Sequence, residues 1–148
     1  MTAAALYTKA VLDHQRVPRN FGGLEGHSHA ADGANPLCGD TLHIELNCDA
    51  GRVRAMRFRG EACAIAIAAT SMLSDLVVGM SVADVARLEA VFARLVGGEI
   101  EQDESLAQLN AMRELAHHPT RRKCALLAFA TLRAALAGEP SATTEETR

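Results

Sequence analysis

A strict alternation of apolar and polar residues marks the first clear element of this chain, residues 41–48. A two-residue period is typical of a strand with one buried face. The inward positions are Leu42, Ile44, Leu46 and Cys48. Cys48 is therefore interpreted as core filling rather than as a ligand. A weaker alternation over residues 27–31 permits a short edge strand before it.

The next segment, residues 52–59, follows an Asp-Ala-Gly turn and is expected to return as the partner strand of a hairpin. Met56 and Phe58 share its predicted core face. Val53 and Ala55 are out of phase with them. We therefore expect either a β-bulge or a solvated start in this second strand.

Beyond the hairpin, apolar residues recur at helical spacing. Residues 64–78 are apolar or small nearly all round, which predicts a buried helix. Ser81 and Asp84 have the spacing of a capping box and predict the start of a second helix. Pro119 is suited to be the first residue of a final helix that runs to about Ala137. The predicted inward residues of these last two helices are Val85, Leu88, Phe92 and Leu95, then Leu126, Phe129, Leu132 and Leu136.

Shorter helices are expected at residues 4–15 and around residues 106–115. Strands come first and helices after, which predicts an α+β sandwich: a small antiparallel three-stranded sheet with helices packed on one face. We expect residues 1–138 to form a single domain. The polar residues 139–148 are expected to be a disordered tail.

Composition narrows the possible functions. The chain has 148 residues, a net charge of −3 and 3% aromatic residues, which argues against a nucleic-acid partner. It has no apolar stretch long enough to span a bilayer, and its N-terminus lacks the features of a secretory signal. We therefore expect a cytoplasmic protein without a membrane partner. In that reducing compartment, four cysteines indicate metal binding, catalysis or burial rather than disulfides.

A thiol and a carboxylate lie two residues apart in a segment that is unsuited to a helix. Pro36 fixes its own φ and disfavours the helical conformation at Asn35, while Gly39 lets the backbone bend. In such a loop, the side chains of Cys38 and Asp40 can converge on one point.

Two further cysteines, Cys63 and Cys124, stand near the start of predicted helices. The positive potential of a helix N-terminus, and the basic residues before Cys124, predict that both thiols ionise readily. With Cys38 and Asp40 they make a set of three sulfurs and one oxygen. Such a set suits tetrahedral zinc or an iron site better than magnesium.

Other interpretations of these residues remain open. The three thiols could be unconnected and buried, and Asp40 could cap a turn through its own backbone. His117 and His118 are close enough in sequence to Cys124 to be substitute ligands, although histidines at such positions more often cap a helix or face solvent.

Several segments together resemble the IscU/NifU-type iron–sulfur cluster assembly proteins, and specifically their SufU subgroup. The match covers nearly the whole chain. Its parts are Leu6-Tyr7, Asp13-His14, residues 18–22, residues 35–40, Gly60 with Cys63-Ala64-Ile65, and Pro119 through Arg121 to Lys123-Cys124-Ala125. The resemblance implies a SufE/NifU-like sandwich and a metal bound by Cys38, Asp40, Cys63 and Cys124.

Departures from the IscU-type scaffolds favour the SufU subgroup. Those scaffolds have a histidine directly before the third cysteine, where this chain has Lys123, and residues 116–120 do not reproduce their chaperone-recognition stretch. An extra segment around Val96 to Leu109 resembles the insertion typical of SufU proteins. That subgroup is understood as zinc-bound sulfur acceptors rather than cluster builders.

The leading hypothesis is a zinc-dependent, sulfurtransferase-type acceptor that takes persulfide sulfur from a SufS-type cysteine desulfurase. Cys38 is the expected acceptor because it lies on the most mobile segment, and it would be released when a partner side chain replaces it on the metal. Arg121, which matches the subgroup's motif, would steady a thiolate or meet an acidic group of the partner. One alternative is a scaffold that binds iron or a [2Fe–2S] cluster and passes it on; another is a zinc-stabilised binding module. Other iron–sulfur assembly proteins are further candidate partners.

Overall fold

One sheet organises the fold. The computed structural model describes residues 6–144. Within that range the strands are β1 (His29–Asn35), β2 (Asp40–Asp49), β3 (Arg52–Glu61) and β4 (Ser141–Thr143). They lie in the sheet in the order β3-β2-β1-β4. The first three pair antiparallel, and β4 pairs parallel to β1.

The helices cover one face of this sheet. They are α1 (Lys9–Arg16), α2 (Ala64–Leu76), α3 (Val82–Val96) and α4 (Pro119–Leu136), with a 3-10 segment, Glu104–His117, between the last two. Helix α4 contacts β1 and β2, and α2 contacts β3 and α4. The predicted α+β sandwich is confirmed. No helix in the range 6–144 is both long and apolar enough to cross a bilayer.

The prediction of three strands is wrong, because β4 adds a fourth strand and makes the sheet mixed. This strand also lies within the segment expected to be disordered. Asp32 N–H donates to Pro140 O at 2.9 Å, and Thr144 N–H donates to Ala34 O at 3.1 Å. The short sequence of β4 carries no two-residue period, so its conformation depends on pairing with β1. Residues 4–5 of the first predicted helix and residues 145–148 of the tail lie outside the described range.

The central hairpin has the predicted faces. Leu42, Ile44 and Leu46 are at most 2% exposed, and the core residues predicted for β3 are also buried. Asn47 pairs with Ala55 but Cys48 pairs with Val53, so β3 contains the expected bulge. Cys48 is half-buried against the core, and burial raises the pKa of its thiol.

Helices α2 and α3 agree with the sequence, whereas the buried face of α4 differs from the predicted one. Helix α2 is buried on nearly all sides, and Ser81 and Asp84 form the predicted capping box. In α4, Leu126 and Leu136 are half-buried rather than fully inward, whereas Leu127 is fully buried. This helix is covered on most sides, so a single stripe of leucines does not describe it.

Close packing of α4 on β1 sets the position of the cysteine in α4. Gly33 faces Thr131, and a Cβ added at Gly33 would overlap Thr131 Oγ1. The missing side chain therefore lets helix and strand approach closely. Two turns before Thr131, the same helix brings Cys124 against the end of β1, where Asn35 lies.

Candidate metal centre

Four side chains from separate parts of the chain meet at one end of the sheet. Cys38 lies in the turn between β1 and β2, and Asp40 is the first residue of β2. Cys63 is the N-cap of α2, and Cys124 lies on the second turn of α4. The topology brings these segments together because the β1–β2 turn, the end of β3 and the start of α4 are at the same end of the sheet.

The distances between these side chains are compatible with a single ion. The sulfurs of Cys38 and Cys124 are 3.6 Å apart. Ligand atoms of Cys38, Asp40 and Cys124 all lie within 4.8 Å of one another. Cys63 is outside that trio, but its sulfur is 3.9 Å from Asp40 Oδ2. Tetrahedral zinc places two sulfur ligands about 3.8 Å apart, and a sulfur and an oxygen about 3.6 Å apart. The donor set therefore fits zinc.

Exposure differs sharply among the four residues. Cys124 is 0% exposed and Asp40 is 2% exposed. Cys63 is intermediate, and Cys38 is exposed. Leu37, the neighbour of Cys38, is 65% exposed. The centre is thus closed on the helix side and accessible at Cys38.

Hydrogen bonds orient the Asp40 carboxylate. Its Oδ1 accepts the Cys63 N–H at 2.8 Å, and its Oδ2 accepts from Asn35 Nδ2 at 3.2 Å. Asp40 therefore binds the backbone at the start of α2, across the site, rather than a turn of its own. Each oxygen keeps lone pairs for a further partner.

The thiols of Cys63 and Cys124 have pKa values that are shifted in opposite directions. A hydrogen bond from Cys124 lowers the pKa of Cys63 to about 6, with smaller contributions from Ala66 N–H and Arg121 and with burial opposing the change. Donation to Cys63, together with burial, raises the pKa of Cys124. Of the two thiols predicted to ionise readily, Cys63 is the one whose pKa is lowered. Helix α4 begins at Pro119, so Cys124 lies beyond the first turn, where the helix potential is weak.

Arg121 approaches the centre beside Cys63. Its Nη2 donates to the Tyr7 hydroxyl at 2.9 Å. Although burial opposes it, hydrogen bonds to Tyr7 and Cys63 raise the pKa of Arg121. The guanidinium therefore stays charged next to the thiolate that ionises most readily. The sequence marked Arg121 as a supporting residue, and its contact is with Cys63.

The two histidines before α4 are not among the converging ligand atoms. His117 is exposed, and His118 is half-buried. Within residues 6–144, the converging trio contains neither of them. The Nε2 atom of His118 is buried and makes no hydrogen bond in this range.

Three residues around the centre have side-chain roles that the sequence did not indicate. Tyr7 binds Arg121, and the buried Asn35 amide binds both Asp40 and Cys124 Sγ, the latter at 3.6 Å. Thr144 Oγ1 donates to Asn35 Oδ1 at 2.8 Å. The position of Asn35 beside the cysteine turn was the available signal. Tyr7 belongs to a segment of the family resemblance but had no role assigned, and nothing in the pattern of the chain marks Thr144.

Sequence comparison identifies relatives that span most of this chain. A family model described as the NifU-like N terminal domain matches residues 6–125. The zinc-dependent sulfurtransferase SufU of Bacillus subtilis is 32% identical over 90% of this chain and 91% of its own length. The iron–sulfur cluster assembly scaffold protein IscU of Streptococcus pyogenes is 32% identical over 88% of this chain and 82% of its own length.

Solved structures share the fold. The N-terminal part of a NifU-like protein from Brucella abortus has a TM-score of 0.83 and 19% identity, covering 90% of this chain and 94% of its own. A protein of Fervidobacterium islandicum, described as a candidate assembly scaffold for the SUF system, has a TM-score of 0.84 and 22% identity, covering 91% and 99%. The mixed sheet with its helical layer is thus a known arrangement.

Proposed function

Because this chain belongs to the family of NifU-like N-terminal domains, which are iron–sulfur cluster assembly proteins, we propose that it is a zinc-dependent acceptor of sulfur in that process. The observation that carries the proposal is the convergence of the Cys38 and Cys124 thiols with the Asp40 carboxylate. Cys63 Sγ lies 3.9 Å from the same carboxylate, and Cys38 is the exposed thiol among these residues. The relative named a zinc-dependent sulfurtransferase supports the choice of metal and reaction.

Cys38, Asp40, Cys63 and Cys124 would hold the zinc. Bound zinc keeps coordinating thiols ionised and is redox-inert, so it preserves reactive sulfur without assembling a cluster. Arg121 would hold its positive charge beside Cys63, which favours the thiolate form of that ligand.

Cys38 would perform the transfer. It lies in a turn with Gly39 in the left-handed region, away from helical or strand pairing. Cys38 is free to react once a group of the partner takes over its place among the ligands. Its thiolate then attacks the outer sulfur of a persulfide on a cysteine desulfurase. A new bond joins Cys38 Sγ to that sulfur, the persulfide S–S bond breaks, and the desulfurase cysteine leaves as a thiolate. The transferred sulfur keeps its oxidation level, so no further oxidant or reductant is needed.

The partner in this proposal is a SufS-type desulfurase in the cytoplasm, with other iron–sulfur assembly proteins receiving the sulfur afterwards. The exposed Leu37 beside Cys38 gives the partner an apolar contact next to the reacting thiol.

Replacing Cys38 with Ser tests the assignment. Incubated with desulfurase and cysteine, the wild-type protein should gain the mass of one sulfur atom and accelerate alanine formation. Cys38→Ser should do neither, since a hydroxyl does not accept sulfane sulfur. Cys48→Ser, in the strand core away from the centre, is the matched control and should behave as wild type. A Cys38→Ser protein that still gains sulfur contradicts the assignment. A wild-type protein without effect on alanine formation would instead favour a zinc-stabilised binding module.

A second candidate function is a scaffold for a [2Fe–2S] cluster. It is favoured by the IscU relative, whose identity of 32% equals that of the SufU relative. Metal analysis of the purified protein with an absorption spectrum separates the two, because zinc is colourless and iron–sulfur charge transfer absorbs visible light. We expect zinc and no visible absorption.

A further inference from the structure

We propose that Thr144, directly after β4, is a positioning residue for the metal centre that acts through the side-chain amide of Asn35. Neither residue is a ligand. The inference rests on the proposed function because it concerns how the zinc ligands are held.

The hydrogen bonds of Asn35 determine which way its amide faces. Asn35 is 0% exposed. Its Nδ2 donates to Asp40 Oδ2 at 3.2 Å and lies 3.6 Å from Cys124 Sγ. An ionised carboxylate can only accept hydrogen bonds, as can a zinc-bound thiolate, so the NH2 group faces them. The amide oxygen then faces Thr144, whose hydroxyl donates to it at 2.8 Å.

The pairing of β4 places Thr144 at this oxygen. Strand β4 runs parallel to β1 in the register Asp32 with Ser141 and Ala34 with Thr143. The N–H of Thr144 donates to Ala34 O at 3.1 Å, which continues the pairing by one step. Thr144 is therefore beside Asn35, the last residue of β1.

Loss of the Thr144 hydroxyl would leave a buried amide oxygen without its donor. The penalty for this is reduced if the amide rotates, but rotation turns its oxygen toward Asp40 and Cys124 and repels the negative ligands. Either outcome weakens the arrangement that a cation requires. Groups that hydrogen-bond directly to ligands typically contribute about 10- to 100-fold in metal affinity. Thr144 acts one bond farther out, so we expect its loss to weaken zinc binding by roughly three- to tenfold.

Zinc affinity of the full chain, measured by competition with a chromophoric chelator, tests whether the Thr144 hydroxyl acts on the ligands through Asn35. Thr144→Val keeps the shape and removes the donor, and should weaken binding by the stated factor. Thr144→Ser restores a hydroxyl and should bind as wild type. Ser141→Ala removes an exposed hydroxyl from the same strand and is the control. Asn35→Ala should weaken binding by about 10- to 100-fold.

A double-mutant cycle distinguishes an effect of Thr144 that passes through Asn35 from an unrelated loss of stability. If Thr144 acts through Asn35, the Asn35→Ala/Thr144→Val protein should bind zinc no more weakly than Asn35→Ala alone. Effects of the two substitutions that multiply would overturn the proposal, as would wild-type affinity in Thr144→Val.

A second readout does not depend on zinc. In zinc-free protein, the Asn35 side-chain amide resonances should shift in Thr144→Val and stay in place in Ser141→Ala. If the wild-type protein binds no zinc, the proposed function fails, but this measurement still decides the inference: an unmoved Asn35 signal in Thr144→Val refutes it.

Discussion

Two polar clusters lie on the same sheet, and they differ in how their charges are compensated. At the end of the sheet, sulfur atoms and the Asp40 carboxylate converge. On the face opposite the helices, the buried Glu45 carboxylate accepts Leu24 N–H at 2.6 Å and is 2.9 Å from His43 Nε2. Arg59 lies 3.5 Å from the same carboxylate, and the other ring nitrogen of His43 is 2.8 Å from Asp32.

The difference shows that the number of histidines and acids is a poor guide to a metal site. In the Glu45 cluster, each acceptor faces a donor or a cation of the protein, so an added ion would have to displace existing partners. In the cysteine cluster, the converging atoms are acceptors once ionised, and the donors to Asp40 and Cys124 are neutral N–H groups. The Arg121 guanidinium hydrogen-bonds to Cys63. A cation completes such a set, because metals bind the deprotonated forms of these ligands.

Removing one ionisable side chain from each cluster should have different effects on zinc binding. Cys124→Ala deletes a buried ligand and should weaken zinc binding by more than about 100-fold, beyond the usual effect of a residue outside the ligand set. Glu45→Gln should leave zinc stoichiometry and affinity unchanged. Chelator competition and metal analysis measure both. Equal losses in the two variants would show that zinc binding reports only general stability, contrary to the assignment of Cys124.

Glu45→Gln should instead lower the stability of the fold. The substitution keeps an acceptor for Leu24 N–H but removes the charge that faces His43 and Arg59. Hydrogen bonds to a charged group contribute about 1.5 to 3 kcal/mol, and one is retained, so we expect the free energy of unfolding to fall by roughly 1 to 2 kcal/mol. Urea denaturation measures it, with the exposed Glu101→Gln as control. An effect as small as that of the control would mean that the cluster is only solvated charge.

Elements could be predicted from the sequence where the local pattern of residues defines which side of a segment is buried or where a helix begins. The alternation of β2, the bulge of β3 and the capping box of α3 are local patterns that tertiary structure preserved. Strand β4 could not be predicted, because three residues contain too little periodicity to signal a strand and their conformation comes from pairing with β1. The same limit explains α4, where contacts with several neighbours bury more than one stripe.

The candidate ligands could be proposed from sequence because each stands in a locally unusual setting: Cys38 and Asp40 in a Pro/Gly turn, and Cys63 at a helix start. The residues that orient them could not, since their roles depend on contacts between distant segments. Thr144 and Asn35 are 109 positions apart, and Tyr7 and Arg121 are 114 apart. The pKa of Cys124 also depends on burial and on Cys63, neither of which is visible near it in the chain.

The smallest expected effect is the pH dependence of the Glu45 cluster. The hydrogen bond from Leu24 N–H, followed by that from His43, lowers the pKa of Glu45 below its ordinary value. A carboxyl group with a lowered folded-state pKa stabilises the fold fully above its unfolded-state pKa, and this contribution disappears as pH falls through the folded-state value. The unfolding free energy of the wild type should therefore decrease more steeply than that of Glu45→Gln as the pH is lowered from about 5 to 3. Denaturation with a chelator present removes the separate pH dependence of zinc binding. Parallel plots of unfolding free energy against pH would show that the Glu45 carboxylate has the same proton affinity in the folded and unfolded chains. Its charge would then not be compensated by the protein groups around it, and the contrast with the metal centre would fail.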